Sequence, residues 1–143
     1  MPRVLIDTNI LVSAALFPES VPAQAFLKAV TLPCRAVVCD YSFDEFRRVF
    51  NTKFPHKIQD YERFLPIMAS SAEVIPTPLE DESTENETQI RDVKDRPILR
   101  AALVTNVDAL VTGDKDFLES GVKNIRIISA AAFLQIKWTW PRR

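Results

Sequence analysis

A carboxylate at the end of a buried strand is well placed to do chemistry, and this chain has two. Val4-Leu5-Ile6 runs into Asp7, and Leu110-Val111-Thr112-Gly113 runs into Asp114. Open α/β sheets bind ligands outside the carboxyl ends of their strands. A carboxylate there leaves the core and faces a crevice. Two more acids can reach such a place. Glu45 lies one turn into the helix expected after a second strand, and Asp95 sits at the expected start of a later helix. Asp116 follows Asp114 by two residues. Clustered carboxylates raise one another's pKa unless a cation stands among them. Oxygen ligands suit hard cations, so the cluster points to magnesium or manganese, one or two ions. Such an ion at an open site suits phosphodiester hydrolysis, because it lowers the pKa of bound water and stabilises charge on the phosphate.

The elements that must position these acids alternate along the chain. Val4–Ile6 and Ala36–Cys39 are short aliphatic runs suited to strands buried on both faces. Leu110–Thr112 and Ile125–Ile128 read as later strands, and Ala72–Ile75 as one nearer an edge. Helical spacing of apolar residues falls between them: 10–16, 21–30, 43–50, 57–68, 98–103, and a last helix capped by Ser129. Ser42 with Glu45 three residues on has the pattern of a capping box. Alternating strands and helices predict a layered α/β/α domain with a central parallel sheet. One domain is expected over 1–136, followed by an aromatic and basic tail over 137–143 that contains Trp138 and Trp140.

Composition removes other chemistries. The chain has a single histidine, His56, and two cysteines, Cys34 and Cys39, which argues against a zinc site or a histidine acid–base pair. The cysteines read as core thiols rather than a disulfide. Two glycines are too few for a GxGxxG or Walker loop. No apolar stretch exceeds five residues, far short of the ~20 that cross a membrane. Met1-Pro2-Arg3 is followed closely by Asp7, leaving no apolar signal region, so the expected location is the cytoplasm. A net charge of −1 neither favours nor excludes nucleic acid, since active-site acids lower the total.

Taken together the motifs resemble the PIN-domain ribonucleases, of the kind found as the toxins of toxin–antitoxin pairs. The matching pieces are Leu5-Ile6-Asp7-Thr8-Asn9, Ser42 to Glu45 with Arg48 following, Asp92 to Asp95 before Ile98-Leu99, and Leu110 to Phe117. The resemblance implies a PIN-like fold in which Asp7, Glu45, Asp95 and Asp114 hold the metal. It makes Asp116 an accessory acid, and Asn9 and Thr112 the groups that hold the first acids by hydrogen bonds. Asp92 competes with Asp95 for the third position, and Pro97 favours Asp95 at the helix start. An RNA substrate, a small antitoxin and a homodimer follow from the same resemblance.

Each feature also has a plainer use. Asp7 and Asp95 can cap helices, and Glu45 can serve Ser42. The acidic run Glu80 to Glu87 can be a solvated loop. Arg47, Arg48, Lys53, Lys57 and Arg63 can contact phosphates or simply face water. Trp138 and Trp140 can stack on bases or pack against protein. The competing reading of the whole is a PIN-like domain that binds RNA or protein and cuts nothing. A small-molecule phosphohydrolase is weakened by Asn9, where such enzymes commonly carry a second aspartate.

Overall fold

The structure is a computed structural model that describes residues 1–79, 96–123 and 125–137. Five parallel strands form one sheet: β1 (Arg3–Ile6), β2 (Arg35–Cys39), β3 (Glu73–Ile75), β4 (Ala109–Val111) and β5 (Arg126–Ile128). Their order across the sheet is β3-β2-β1-β4-β5. The first strand is therefore central, with Leu5 in register with Val37 on one side and Leu110 on the other.

Among the described residues seven α-helices connect and cover the strands: α1 (Thr8–Leu16), α2 (Val21–Ala29), α3 (Asp40–Lys53), α4 (Ile58–Ser71), α5 (Arg96–Thr105), α6 (Lys115–Leu118) and α7 (Ala130–Gln135). Side chains alternate across a strand, so β1 feeds two cores. Val4 and Ile6 join the core under α1, α2, α3, α4 and α7, while Leu5 joins the one under α5. These two apolar layers make the sheet the middle of an α/β/α sandwich, the fold class the alternating pattern predicts. Burial on both faces explains why the strands read as continuous aliphatic runs. Cys34 and Cys39 are free and buried. Among the described residues no single helix is long and apolar enough to cross a membrane.

The chain leaves β1 toward β2 and β3, then returns past β1 to β4. The direction of winding thus reverses between β1 and β4, the point at which open sheets form a crevice beyond the carboxyl ends of their strands. Asp7 and Asp114 flank that point.

One local expectation is corrected. The helix after β2 starts at Asp40, not after Ser42, and its N-cap, Cys39, makes no side-chain capping bond. The start is secured from outside. The Tyr41 N–H donates to the Thr77 hydroxyl at 3.3 Å, and Asp40 accepts from the Thr77 N–H at 2.9 Å. Ser42 is left inside the first turn, fully buried, and Glu45 moves to the second turn.

Candidate active site

Asp7 ends β1 and begins α1. Its N–H continues the sheet by donating to the Val111 carbonyl at 3.0 Å. Its side chain turns back as the N-cap of α1, where Oδ1 accepts from the Thr8 N–H at 2.8 Å. Oδ2 accepts from the Thr112 hydroxyl at 2.7 Å. Only 3% of the residue is exposed. Burial pushes its carboxyl up to about 7. The Thr112 and Thr8 hydrogen bonds pull the other way, and the nearby charges of Glu45 and Asp114 add to the rise.

Thr112 links two acids with one hydroxyl. It donates to Asp7 and accepts from the Asp114 N–H at 3.0 Å. Asp114 is half-buried and caps α6, with Oδ1 accepting from the Asp116 N–H at 2.8 Å. Asp116 thus braces Asp114 through its backbone.

Glu45 is held by Thr8, a residue to which its sequence motif assigns no role. Thr8 Oγ1 lies 2.7 Å from Glu45 Oε1 and 2.9 Å from Ser42 Oγ. A hydroxyl has one proton, and an ionised carboxylate only accepts. With Glu45 ionised, Thr8 therefore donates to Glu45, and Ser42 donates to Thr8. The pair ties α1 to α3 under the acid. Its sequence signal is slight: a threonine between Asp7 and a helix otherwise rich in apolar residues. Asn9, expected to hold an acid, is exposed and accepts instead from the Gly113 N–H at 3.5 Å. It fastens the loop that carries Asp114.

Asp7, Glu45 and Asp114 line one cleft of about 310 Å³. A larger cavity of about 600 Å³ lies between α2 and the end of α7, but no acid lines it. The acids from β1, α3 and the β4 end thus share a single opening.

The model of the PIN domain family matches residues 3–116. The chain belongs to the PIN domain family. Solved structures carry the same fold. VapBC2 from Rickettsia felis, crystallised with a promoter DNA fragment, superposes with a TM-score of 0.64 at 16% identity, covering 89% of this chain and 98% of that one. FitAcB from Neisseria gonorrhoeae gives 0.60 at 19% identity, with 90% and 98% covered. VapC20 from Mycobacterium tuberculosis, a toxin that cleaves the sarcin–ricin loop, gives 0.58 at 12% identity, with 86% and 98% covered. At these identities the likeness is one of fold. No curated protein matches the chain.

Within this PIN domain, Asp92 and Asp95 lie outside the described residues, as do the acidic run Glu80 to Glu87 and both tryptophans, Trp138 and Trp140. Among the described residues, no three histidines, cysteines or acids stand close enough to form a metal cage by themselves. The donors nevertheless fit a hard cation in kind. Asp7 is a buried carboxylate with two hydrogen bonds, and an ionised carboxyl has about four acceptor sites. It faces two further carboxylates with no basic side chain bonded to it among the described residues. Magnesium needs only one or two protein carboxylates, since it keeps several of its waters.

Proposed function

We propose that this PIN domain is a metal-dependent endoribonuclease, the toxin of a toxin–antitoxin pair. The observation that carries the reading is Asp7: a buried carboxyl at the reversal point of the sheet, sharing its cleft with Glu45 and Asp114. Burying a charge without a counter-charge is costly, and a cation bound there, with a phosphodiester beside it, would offset that cost. Asp7, Glu45, Asp95 and Asp114 would hold one or two magnesium or manganese ions, with Asp116 as an accessory acid. The bound ion supplies an acidified water and charge stabilisation at the phosphate. The chain's own part is to keep its carboxylates in place before the substrate arrives. Thr112 does this for Asp7 and Asp114, Thr8 and Ser42 do it for Glu45, and Asn9 steadies Gly113.

The solved relatives support the biological setting. VapC20 is a toxin that cleaves the sarcin–ricin loop, and the VapBC2 and FitAcB structures are of the same fold. We further infer, as the sequence motifs lead one to expect, that the chain acts in the cytoplasm, pairs with itself, and is silenced by a small antitoxin.

The test is RNA cleavage by the purified chain in magnesium or manganese. Asp7→Asn should abolish cleavage while circular dichroism and melting show the fold retained. EDTA should stop the wild-type reaction, and added metal should restore it. Full activity of Asp7→Asn, or cleavage indifferent to EDTA, overturns the proposal.

A further inference from the structure

The cleft that gathers the acids is only partly acidic. Val12 of α1 and Val49 of α3 line it too, with Lys53 and Phe54 where α3 ends. This wall is held firmly. The Phe54 N–H donates to the Phe50 carbonyl at 3.1 Å, and the Phe54 ring packs 5.9 Å from the ring of Phe50, which is fully buried. Phe54 itself is half-buried and borders the cleft.

Lys53 is exposed, and among the described residues its ammonium has no ion pair or hydrogen bond. The other basic residues of α3 and α4 are differently placed. Arg47 pairs with Asp44 at 3.6 Å, and Arg63 pairs with Asp60 while donating to the Ala15 carbonyl at 2.6 Å. Arg48 and Lys57 do not line the cleft.

Three carboxylates repel a polyanion, so the Lys53 cation lining the same cleft is informative. An ammonium beside an aromatic ring is also the pairing that single-stranded nucleic acids use: the ring takes a base, the cation a phosphate. The volume, about 310 Å³, lies at the small end of the ~300–1,000 Å³ range of ligand sites. It suits one nucleotide rather than a helix.

We propose that Lys53 and Phe54, floored by Val12 and Val49, form a subsite for the nucleotide next to the scissile phosphate. Phe54 stacks on its base and Lys53 contacts its phosphate. The inference rests on the ribonuclease reading above. It makes unpaired RNA the substrate, because a base inside a duplex does not offer its face.

The Asp7→Asn protein, which should bind without cutting, is titrated with a mixed-sequence, fluorescein-labelled single-stranded oligoribonucleotide. Phe54→Leu should weaken binding roughly ten- to a hundredfold, the effect of one lost stack. Phe54→Tyr should restore it. Lys53→Gln should lower the slope of log affinity against log salt by about 0.7, one phosphate contact on a single strand. Lys53→Arg should keep the slope. In the otherwise unchanged enzyme, Phe54→Leu should raise KM and spare kcat. Should Phe54→Leu fail to fold, RNA lacking the base beside the mapped cleavage point gives the same reading, with the same loss expected. If the chain binds and cleaves RNA but these changes alter neither affinity, slope nor KM, the subsite is overturned and the ribonuclease reading stands. If the chain neither binds nor cleaves RNA, that reading fails and takes the subsite with it. Duplex RNA bound as tightly as the single strand also overturns the stacking.

Discussion

The two ends of the sheet treat charge in opposite ways. At the amino end, Arg3 grips Glu73 through two nitrogens, at 3.2 and 2.7 Å, and donates to the Thr105 carbonyl at 3.3 Å. Asp108 accepts from the Arg3 N–H at 2.7 Å and returns its own N–H to the Arg3 carbonyl at 2.8 Å. Acids there are matched to donors and bind β1, β3 and β4 together. At the carboxyl end, Asp7 is more deeply buried than either, yet its neighbours are two more acids and a pair of hydroxyl-class and amide donors. Charges arranged for stability find partners of opposite sign. A buried acid such as Asp7, with further acids beside it in a cleft, points to a ligand that is not part of the chain.

The largest test of that contrast is Asp7→Asn, read as stability rather than cleavage. In the fold the Asp7 carboxyl is raised to about 7 from 3.8, chiefly by burial. Below about pH 4 the folded and unfolded chains both hold the proton, and no penalty arises. Between there and pH 7 the unfolded chain releases it first, so wild-type stability falls. Above 7 the full cost is present, on the order of 4 kcal/mol at most. Asparagine removes the ionisation, and its amide can donate to Thr112 where the carboxylate accepted. Urea unfolding in EDTA should therefore show Asp7→Asn more stable than wild type at pH 8, with the two converging near pH 4. Equal stability at pH 8 would erase the difference between the two ends.

A divalent ion should act on the same end. Binding only the folded state stabilises by about 2.7 kcal/mol at a hundred times Kd. Melting of the wild-type chain should rise with magnesium or manganese at pH 8, and Asp7→Asn should lose most of that rise. A wild-type melt indifferent to both ions would show the acids to be strained without serving a cation.

The hydroxyls come next. Thr112→Val breaks the bond to Asp7 Oδ2 and the support of the Asp114 N–H, while Thr8→Val removes the hydroxyl bonded to Glu45. Groups that orient metal-binding acids are worth about 10–100-fold in activity or metal affinity. Each valine should lower cleavage within that range and weaken metal binding in parallel, Thr112→Val the more of the two because it touches two acids. Thr112→Ser and Thr8→Ser should recover most of the loss. Unchanged metal affinity in both valine variants would remove these hydroxyls from the site.

What could be read from the chain and what could not divides by range. The strands were legible because burial on both faces leaves aliphatic runs, and Asp7 and Ser129 cap their helices by contacts within three residues. The meeting of Asp7 with Asp114 was legible only as a possibility, since adjacency of β1 and β4 depends on the return of the chain past β1. The Ser42 capping box misled for a related reason. Its pattern is local, but Thr77, more than thirty residues on, satisfies the start of α3 and moves that start to Asp40. The same shift turns Ser42 inward to Thr8, so the grip on Glu45 has no signature in either stretch alone. Asn9 shows the limit of motif transfer: the loop it fastens is the one leading to Asp114. Asp92 and Asp95 lie outside the described residues, so the choice between them rests on Pro97 and helix phase.

The smallest effect belongs at the amino end, and its smallness is the point. The Arg3 and Glu73 side chains keep 30% and 34% of their exposure. Ion pairs open to water contribute about 0–1 kcal/mol, because solvent screens them and long side chains lose freedom. Glu73→Gln should thus lower stability by less than about 1 kcal/mol in urea unfolding, and leave cleavage and metal response untouched. The glutamine still accepts from Arg3, so the strand contact survives as a neutral hydrogen bond. A larger loss, or a change in metal response, would mean that the two ends are coupled through β1, and that the matched charges at one end help to hold Asp7 at the other.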